Sequence, residues 1–329
     1  MTRLVLAGDI GGTHSRLALF DTEEGGRLVA EVDHSSVAIG DFASVAADFV
    51  RSNGRTVVAA AIGAAGPILE QTVKITNLPW GIEATAVSRA LGGVPVRLLN
   101  DLEAMAHGSL AMGDDDLAWI NRGQQRPGHR VVLAAGTGLG QALLFWNGRN
   151  HAPAGSEGGH ADFAPRDPRE MQLLRFLLRE HGRVDWERIL SGPGLHNLYR
   201  FVTEEEGIAP SAAVVERLTA GQDAGAVIGE AGVSGACPAC AAAVELFASL
   251  YGAQAGNFAL TALALNGVYI GGAMAVHLLP KLSDGAFLRA FQAKEPFVEL
   301  MSSIPVAVIT NPQVNLIGAG RVAAGVGAG

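Results

Sequence analysis

Two glycine-rich turns, each set between short apolar runs, carry residue types that could do chemistry in this chain. The first is Gly8-Asp9-Ile10-Gly11-Gly12-Thr13 and the second is Gly136-Thr137-Gly138-Leu139-Gly140. Successive main-chain N–H groups in such a turn form a concave anion site, and glycine supplies positive φ angles and space for a close approach. With the hydroxyls of Thr13 and Thr137 as added donors, both turns are predicted to bind phosphate.

Asp9 gives the first turn a carboxylate that the second turn lacks. A carboxylate beside a phosphate repels it unless a cation lies between them, so Asp9 is predicted to bind Mg²⁺ directly or through water. Either turn alone could be a plain tight hairpin, but the repeated design favours phosphate binding. A P-loop motif is absent from the sequence, and the second turn lacks the last glycine of a dinucleotide fingerprint.

Asp101 is the candidate general base. It follows an apolar run, residues 94–99, and Asn100. Ligands of open α/β sheets bind at the carboxyl ends of the parallel strands, so this carboxylate is placed where a ligand is expected. A hydroxyl that attacks a phosphoryl group needs a proton acceptor within hydrogen-bond reach. The alternative role for Asp101 is N-cap of the following helix, although Asn100 is equally suited to that.

A second polar group of residues is Glu157-Gly158-Gly159-His160. The spacing of Glu157 and His160 would suit a metal on a helix, but the two glycines favour a loop. A loop of this kind suits a ligand with many hydroxyls. Glu187 adds another carboxylate, which on its own would be read as a solvated helix charge.

Composition narrows the class of protein. The chain has 329 residues, enough for two domains, and a net charge of −8 with no basic run, so a nucleic-acid partner is not expected. No signal-peptide pattern follows Met1, and we expect a cytoplasmic protein. Residues 246–276 carry no charge but include Gln254 and Asn257, which favours a buried helix over a membrane span.

The two cysteines, Cys237 and Cys240, form a Cys-Pro-Ala-Cys sequence. This pair is too small for a zinc site without further ligands, and a redox role would need a strand-then-helix setting. We interpret it as an ordinary pair of reduced thiols near a helix start.

The predicted elements place the motifs on a mixed sheet with helices packed on it, in the order βββαβ at the start of the chain. Besides the strands beside the two turns, strands are predicted at residues 27–34, 57–62, 94–99 and 268–270. Helices are predicted at residues 41–51 with Asp41 as N-cap, and at 102–107, 169–180, 185–190, 212–219, 241–265 and from 315. A turn is predicted at residues 191–194.

The ordered set of motifs resembles bacterial glucokinases, sugar kinases of the hexokinase type. It consists of the two turns, the Asn100-Asp101 pair, Glu157-Gly158-Gly159-His160, residues 187–195, Thr76-Asn77-Leu78-Pro79-Trp80 and Gly271-Gly272. The resemblance runs from about residue 4 to Gly320. It implies an α/β, two-lobed actin-like ATPase fold of the ribonuclease H-like type, with duplicated βββαβ cores around a central cleft.

The resemblance also implies roles for matching positions. The sugar would be bound by Asn100, Asp101, Glu157, His160 and Glu187, with Asp101 as the base for the 6-hydroxyl. Phosphates and Mg²⁺ would be held by Gly8, Asp9, Ile10, Gly11, Gly12, Thr13, Gly136, Thr137 and Gly138, with Asp9 at the metal and Gly271 and Gly272 near the adenosine. His14 departs from the family, in which many members carry Asn. The cysteine pair does not match the zinc signature of the related repressors, and a sugar-responsive repressor is not expected.

The implied activity is ATP-dependent phosphorylation of glucose at the 6-hydroxyl, a step of glycolysis. The alternatives are a kinase for fructose, mannose or N-acetylglucosamine and, from another class, an actin-like nucleotide-switched assembly protein. We expect a small domain of residues 1–110 joined by a helix at about 312–329, a large domain of residues 111–311, and a homodimer without membrane partners.

Overall fold

In the computed structural model, which describes residues 3–23, 26–75 and 78–327, the chain divides into two units. The first consists of Met1–Gly113 and Asn311–Gly329, and the second of Asp114–Thr310. Thr76 and Asn77 of the predicted motif lie outside the described residues.

The first unit begins with the predicted order βββαβ. Its strands are β1 (Leu4–Ile10), β2 (His14–Asp21), β3 (Arg27–Ser35), β4 (Ala59–Ala64), β5 (Thr72–Lys74), β6 (Gly81–Glu83) and β7 (Val96–Asn100), and its first helices are α1 (Phe42–Ser52), α2 (Ala84–Ala90) and α3 (Asp101–Ser109). Five strands form one sheet in the order β3-β2-β1-β4-β7, in which β1, β4 and β7 run parallel. Strand β4 is buried along its whole length, as expected of a parallel strand covered on both faces.

Asp41 confirms the predicted start of α1. Its carboxylate accepts hydrogen bonds from the main-chain N–H groups of Ala43 and Ser44. The Ser44 hydroxyl, together with these N–H groups, lowers the pKa of Asp41 from its usual value. The N-cap therefore satisfies donors that the first helical turn cannot pair internally.

The second unit repeats the strand order of the first. Its strands are β8 (Leu117–Asn121), β9 (Arg130–Ala135), β10 (Leu139–Trp146), β11 (His151–Ser156), β12 (Gly267–Gly271) and β13 (Val306–Ile309). They form a sheet in the order β11-β10-β9-β12-β13-β8, with β9, β12 and β13 parallel. Apart from β8 at one edge, this is the order of the first sheet, so the predicted duplication of the core is confirmed.

Helices cover the second sheet and then return to the first unit. They are α4 (Pro168–Leu178), α5 (Gly192–Glu204), α6 (Ala212–Thr219), α7 (Ala224–Val233), α8 (Pro238–Ala262), α9 (Ala273–His277), α10 (Leu279–Leu282), α11 (Ala286–Gln292), α12 (Val298–Ser303) and α13 (Val314–Val326). The last helix belongs to the first unit, where it packs on α3, β1 and β4. A Cβ on Gly318 would overlap the main-chain oxygen of Ala104, so glycine lets α13 pack directly on α3.

Helix α8 contains much of the uncharged segment, and most of its residues are buried. Within the described ranges, no single helix is long and apolar enough to cross a membrane; α7 and α8 pass that test only as a pair, bent by 98°. Cys237 and Cys240, at the start of α8, are buried free thiols, and burial raises the pKa of Cys240 well above its usual range.

Two local predictions are wrong. Residues 185–190 do not form a helix, because Asp185 pairs with Asp162 in an antiparallel bridge and turns follow it. Residues 191–194 are not a turn but the start of α5, where the Ser191 hydroxyl accepts a hydrogen bond of 2.9 Å from the N–H of Gly194. Proline is well tolerated in the first turn of a helix, so Pro193 does not interrupt α5.

Candidate functional site

The first glycine turn joins β1 to β2 and is closed by a hydrogen bond of 2.9 Å from the N–H of Gly11 to the oxygen of His14. Ser36 braces it: its N–H donates to the oxygen of Thr13 (2.9 Å) and its hydroxyl to the oxygen of Gly11 (2.7 Å). Trp80 donates its indole N–H to the oxygen of Ser36 at 3.0 Å. Nothing in the sequence around Ser36 distinguishes it, and it was missed.

The glycines of the two turns do not adopt unusual dihedral angles, and only some of them are needed for close packing. Gly8, Gly11, Gly136 and Gly138 do not have φ between +20° and +160°, so the expectation of positive φ is wrong for them. A Cβ on Gly8 would lie 3.0 Å from Ile62. Gly8 is therefore needed for space, whereas a Cβ on Gly136 would meet nothing within 4 Å.

The remaining phosphate candidates divide into buried and exposed positions. The side chain of Ile10 is buried in the core, so it can offer a ligand only main-chain groups. Gly12, Thr13, Gly136 and Thr137 are exposed. The His14 imidazole, which departs from the family pattern, lies 3.0 Å from the carboxylate of Asp33 on β3.

Asp9 lies on β1 directly opposite Arg16 on β2. Its carboxylate is ion-paired with the Arg16 guanidinium and accepts a hydrogen bond of 3.1 Å from the Asn315 side chain on α13. The side chain of Asp9 is only 13% exposed. Arg16 is further fixed by donating to the oxygen of Pro312 at 2.9 Å. The C-terminal segment thus helps to position the acid of the first turn, which sequence spacing did not indicate.

The chemistry of this donor set allows Mg²⁺ to be held through water. Among the described residues, no group of three or more His, Cys, Asp or Glu side chains is placed to hold a metal ion. Mg²⁺ needs no such group, since it usually keeps several waters and binds one or two carboxylates with substrate phosphates. A carboxylate has about four acceptor sites, so Asp9 can accept from metal-bound waters while keeping Arg16 and Asn315. Because the Arg16 cation is in contact with it, a water-mediated role fits better than direct coordination.

Asn100 and Asp101 end a parallel strand that is in register with β1. Ile10 of β1 pairs with Ala64 of β4, and Ala64 pairs with Asn100 of β7. The three strand ends are therefore aligned, and Asn100 lies two strand spacings, about 10 Å, from the first turn. The predicted position of Asp101 at the carboxyl edge of the sheet is confirmed.

The capping role left open by the sequence falls to Asn100. Its Oδ1 accepts a hydrogen bond of 2.9 Å from the N–H of Leu102, and α3 begins at Asp101. The Asp101 Oδ1 also accepts from the N–H of Leu102, at 2.8 Å. Both side chains are half-buried, and the first turn of α3 fixes their orientation.

The second glycine turn, between β9 and β10, lies against the N-terminus of α5. The N–H of Gly136 donates to the oxygen of Gly138 (2.8 Å), and the N–H of Gly192 donates to the oxygen of Gly136 (2.7 Å). A helix N-terminus favours anions because its first N–H groups are unpaired and its dipole is positive there. In α5, however, the N–H groups of Gly194 and Leu195 donate to Ser191 and Pro193 has none, so the helix offers an anion beside the second turn its dipole but no free N–H in its first turn.

Glu187 links the second turn to the loop that contains Glu157 and His160. Its Oε2 accepts a hydrogen bond of 3.0 Å from the N–H of Leu139, and a Cβ on Gly138 would overlap this same carboxylate. Its own N–H donates to the oxygen of Gly159 at 2.9 Å, and the N–H of His160 donates to the oxygen of Glu157 at 3.0 Å. The structure thus brings Glu157, His160 and Glu187 together beside the second turn.

His160 is further held by Asp185, a residue that sequence reasoning missed. The imidazole Nδ1 lies 3.1 Å from the Asp185 carboxylate. That hydrogen bond is the main cause that raises the pKa of His160, and the nearby charges of Glu187 and Glu157 add to it. Burial alone would raise the pKa of Asp185, but hydrogen bonds from His160 and from the N–H of Arg188 outweigh burial and lower it.

A cavity of about 410 Å³ opens beside the second turn. It is lined by Gly136, Thr137, Gly192, Pro193, Leu195, Asp223, Gly225, Ala226, Glu230, Ala273, Met274, His277 and Leu278. Gly271 ends β12, and Gly272, with φ of +90°, leads into Ala273 on the cavity wall. Apolar walls with a few polar groups suit a flat base and a ribose next to the phosphate turn. Of this lining, Asp223, Met274 and His277 were not predicted; Asp223 is the N-cap of α7 and accepts a hydrogen bond of 2.7 Å from the N–H of Ala226.

The glucokinase family model matches residues 6–326. The chain is 36% identical to the glucokinase of Nostoc punctiforme over 337 residues, covering 98% of this chain and 99% of that protein. A glucokinase structure from an Antarctic psychrotroph matches at 28% identity with a TM-score of 0.87, covering 98% of this chain and 99% of that one.

A more distant structural match is a ROK family glucokinase from Streptomyces griseus in complex with glucose and AMPPNP. It has 23% identity and a TM-score of 0.64, and covers 97% of this chain and 99% of that one. At this identity the match supports the fold alone. Together with the repeated strand order of the two sheets, these similarities confirm the predicted actin-like ATPase fold class.

Proposed function

The chain belongs to the glucokinase family, and we infer from this that it transfers the γ-phosphoryl group of ATP to the 6-hydroxyl of glucose. The observation that carries the proposal is the alignment of Asp101 with the first phosphate turn across three parallel strand ends. Phosphoryl transfer asks a protein mainly to position the reactants in line and to neutralise charge. The Asp101 carboxylate can position the attacking hydroxyl and take its proton, while the donors of the phosphate turn stabilise the phosphoryl charge.

Asp101 acts as the base. Its carboxylate is oriented by the first turn of α3, and a hydroxyl within hydrogen-bond reach can give it a proton as the new O–P bond forms. Asn100, whose Oδ1 is used as the cap, keeps its amide group for a ligand and for the oxygen of Gly66 at 3.4 Å. Both residues contact the sugar in this proposal.

Glu157, His160 and Glu187 bind the sugar hydroxyls. Two carboxylates and an imidazole can accept and donate hydrogen bonds to a polyol, and the pairing of the loop with residue 187 fixes their spacing. A site built to bond hydroxyls can reject an analogue lacking one by up to about 10⁴-fold. This cluster therefore determines which hexose is accepted.

ATP is the phosphoryl donor. Its base and ribose occupy the cavity beside Met274 and Asp223, and its phosphates contact the exposed Thr137 of the second turn. In the first turn, the exposed Gly12 and Thr13 can offer donors to a phosphate. Asp9, which Arg16 and Asn315 hold in place, would hold Mg²⁺ through water, and the bound ion would neutralise phosphate charge. A cytoplasmic location and a homodimeric state stay predictions.

The alternative functions differ in what they require of these residues. A kinase for fructose, mannose or N-acetylglucosamine would use the same base and phosphate turns with a different sugar preference. A nucleotide-switched assembly protein does not need two carboxylates and an imidazole clustered beside a phosphate turn.

The test is a coupled assay of ADP release with Mg-ATP and a panel of glucose, mannose, fructose, galactose and N-acetylglucosamine. Glucose is expected to stimulate ADP formation many-fold and to give the highest kcat/KM, with glucose 6-phosphate as the product. A higher kcat/KM for fructose or N-acetylglucosamine would replace glucose as the substrate. ADP formation that no sugar stimulates would contradict the kinase assignment.

A further inference from the structure

Asp185 is the more buried partner in its contact with His160. The carboxylate is 13% exposed, whereas the imidazole, 3.1 Å away, is 51% exposed. One ring nitrogen, Nδ1, thus contacts a mostly buried carboxylate, while the opposite edge of the ring faces the surface of the second unit. No motif marks Asp185, and the family resemblance gave it no role.

The position of Asp185 is set by the main chain and not by surface side chains. Residues 161–163 and 184–187 pair as a short antiparallel ladder, with the N–H of Phe163 on the oxygen of Val184 (3.0 Å) and the N–H of Trp186 on the oxygen of Ala161 (3.1 Å). Phe163 and Trp186 stack edge to face beneath it, with ring centroids 5.0 Å apart. The second oxygen of Asp185 accepts from the N–H of Arg188 at 3.0 Å. The carboxylate can therefore hold the ring in one orientation.

A carboxylate that accepts from Nδ1 keeps the proton on that nitrogen, so the neutral ring presents Nε2 as an acceptor. We propose that Asp185 is a positioning residue of the sugar site: it fixes the tautomer and the orientation of His160 so that Nε2 accepts a hydrogen bond from a sugar hydroxyl. This inference rests on the proposed function, since it needs His160 to contact the sugar. Carboxylates play the same part for histidines that bind metals.

Protonation would change what Nε2 offers, from an acceptor to a donor. The charged groups around the ring are Glu157 on its own loop, Asp185 and Glu187 on the facing segment, and Arg183, whose guanidinium donates to the main-chain oxygen of His160. The three acids raise the pKa of His160, led by the hydrogen bond to Asp185. The acid limb of kcat/KM for glucose should therefore lie above the pH expected of an ordinary histidine. Without the Asp185 charge it should move to lower pH.

The experiment measures kcat and KM for glucose against pH in Asp185→Ala and Asp185→Asn, each made in the wild type and in His160→Ala. Asp185→Ala is expected to lower kcat/KM for glucose about tenfold, mostly through KM, because a charged hydrogen bond is lost. Asp185→Asn keeps an acceptor for Nδ1 but no charge, so it should recover most of the loss near neutral pH while still shifting the acid limb downward. In the His160→Ala background, Asp185→Ala should cost less than about twofold, because the two residues act as one unit.

Asp162→Asn is the matched control, because Asp162 lies on the same ladder and pairs with Arg183 but is exposed. It should leave kcat/KM within about twofold, as is usual for a surface ion pair. An equal loss from Asp185→Ala with and without His160 would show that Asp185 only maintains the fold, and would overturn the inference alone. A His160→Ala enzyme with wild-type kcat/KM would overturn both the sugar role of His160 and this inference. If Asp185→Ala does not fold, an unshifted acid limb in Asp185→Asn would overturn it equally.

Discussion

The side chain of Asn315, on the last helix, donates a hydrogen bond of 3.1 Å to the carboxylate of Asp9 on the first strand, 306 residues earlier. The carbonyl oxygen of the same Asn315 side chain is buried, and no hydrogen-bond partner is found for it among the described residues. Burying an unpaired polar atom costs free energy, so the arrangement is retained at some expense to stability. The same side chain holds the Asp9 carboxylate, which we propose to act at the phosphate site.

Replacing Asn315 with Ala should weaken the use of Mg-ATP. Loss of a hydrogen bond to a charged group is worth about 1.5 to 3 kcal/mol, so kcat/KM for ATP should fall roughly 10- to 100-fold. Glucose binding, followed by calorimetry without nucleotide, should change little. Asn53→Ala, which removes a single side-chain hydrogen bond to the oxygen of Phe49 at the end of α1, is the matched control. Comparable losses for glucose and ATP would mean that Asn315 serves the stability of the first unit instead.

Replacing Gly138 with Ala should affect glucose more than protein stability. The added Cβ would overlap the Glu187 carboxylate, which must then leave the N–H of Leu139. We expect KM for glucose to rise about 5- to 50-fold, the equivalent of about 1 to 2.3 kcal/mol. Gly155→Ala, on strand β11, is the control, because its Cβ would meet open space. Unchanged glucose kinetics in Gly138→Ala would show that the Glu187 contact with the turn is not needed.

His107 makes the stability of the first unit depend on pH. Burial, with smaller contributions from the charges of Arg97 and Arg321, lowers its pKa from 6.5 to about 4. The unfolded chain therefore binds this proton more readily than the folded one, so the contribution is present above pH 6.5 and is lost as the pH falls from 6.5 toward 4. Because His107 is only partly buried and solvent screens its charge, the loss should be about 1 to 2 kcal/mol at the acid end.

The measurement is the free energy of unfolding between pH 4 and pH 7.5 for the wild type and for His107→Gln. The variant should lose the part of the acid destabilisation that His107 causes. His34→Gln, on strand β3, controls for the loss of any histidine. A His107→Gln curve parallel to that of the wild type would show that His107 does not titrate between these limits.

The parts of the fold that depend on local patterns were predictable. The two turns, the N-cap at Asp41 and the helix from residue 315 all follow from spacing within about a dozen residues, and the structure confirms them. Local sequence patterns also gave wrong predictions where the same residues suited two different structures. Gly192-Pro193-Gly194 reads as a turn, but after an N-cap serine the same residues start a helix. Residues 185–190 have a composition that favours a helix, but Asp185 pairs with Asp162 in an antiparallel bridge instead.

The contacts that position the site could not be predicted, because they join distant parts of the chain. Ser36 braces the first turn from 25 residues beyond Gly11. Asp185 contacts His160 across 25 residues. A single serine or aspartate has many ordinary places in a protein, and only the tertiary structure shows which group it meets. The acids and glycines of the site were visible in the sequence, whereas the residues that orient them were not.

The most direct test of the account is the effect of Asp101→Asn on kcat. Asparagine keeps the size of the side chain and an oxygen for the N–H of Leu102, but it cannot take the proton of the sugar hydroxyl. The account predicts a fall in kcat of about 10²- to 10⁴-fold, or about 3 to 5.5 kcal/mol of barrier, with glucose affinity within about tenfold of the wild type. An Asp101→Asn enzyme that keeps more than half of the wild-type kcat would contradict it.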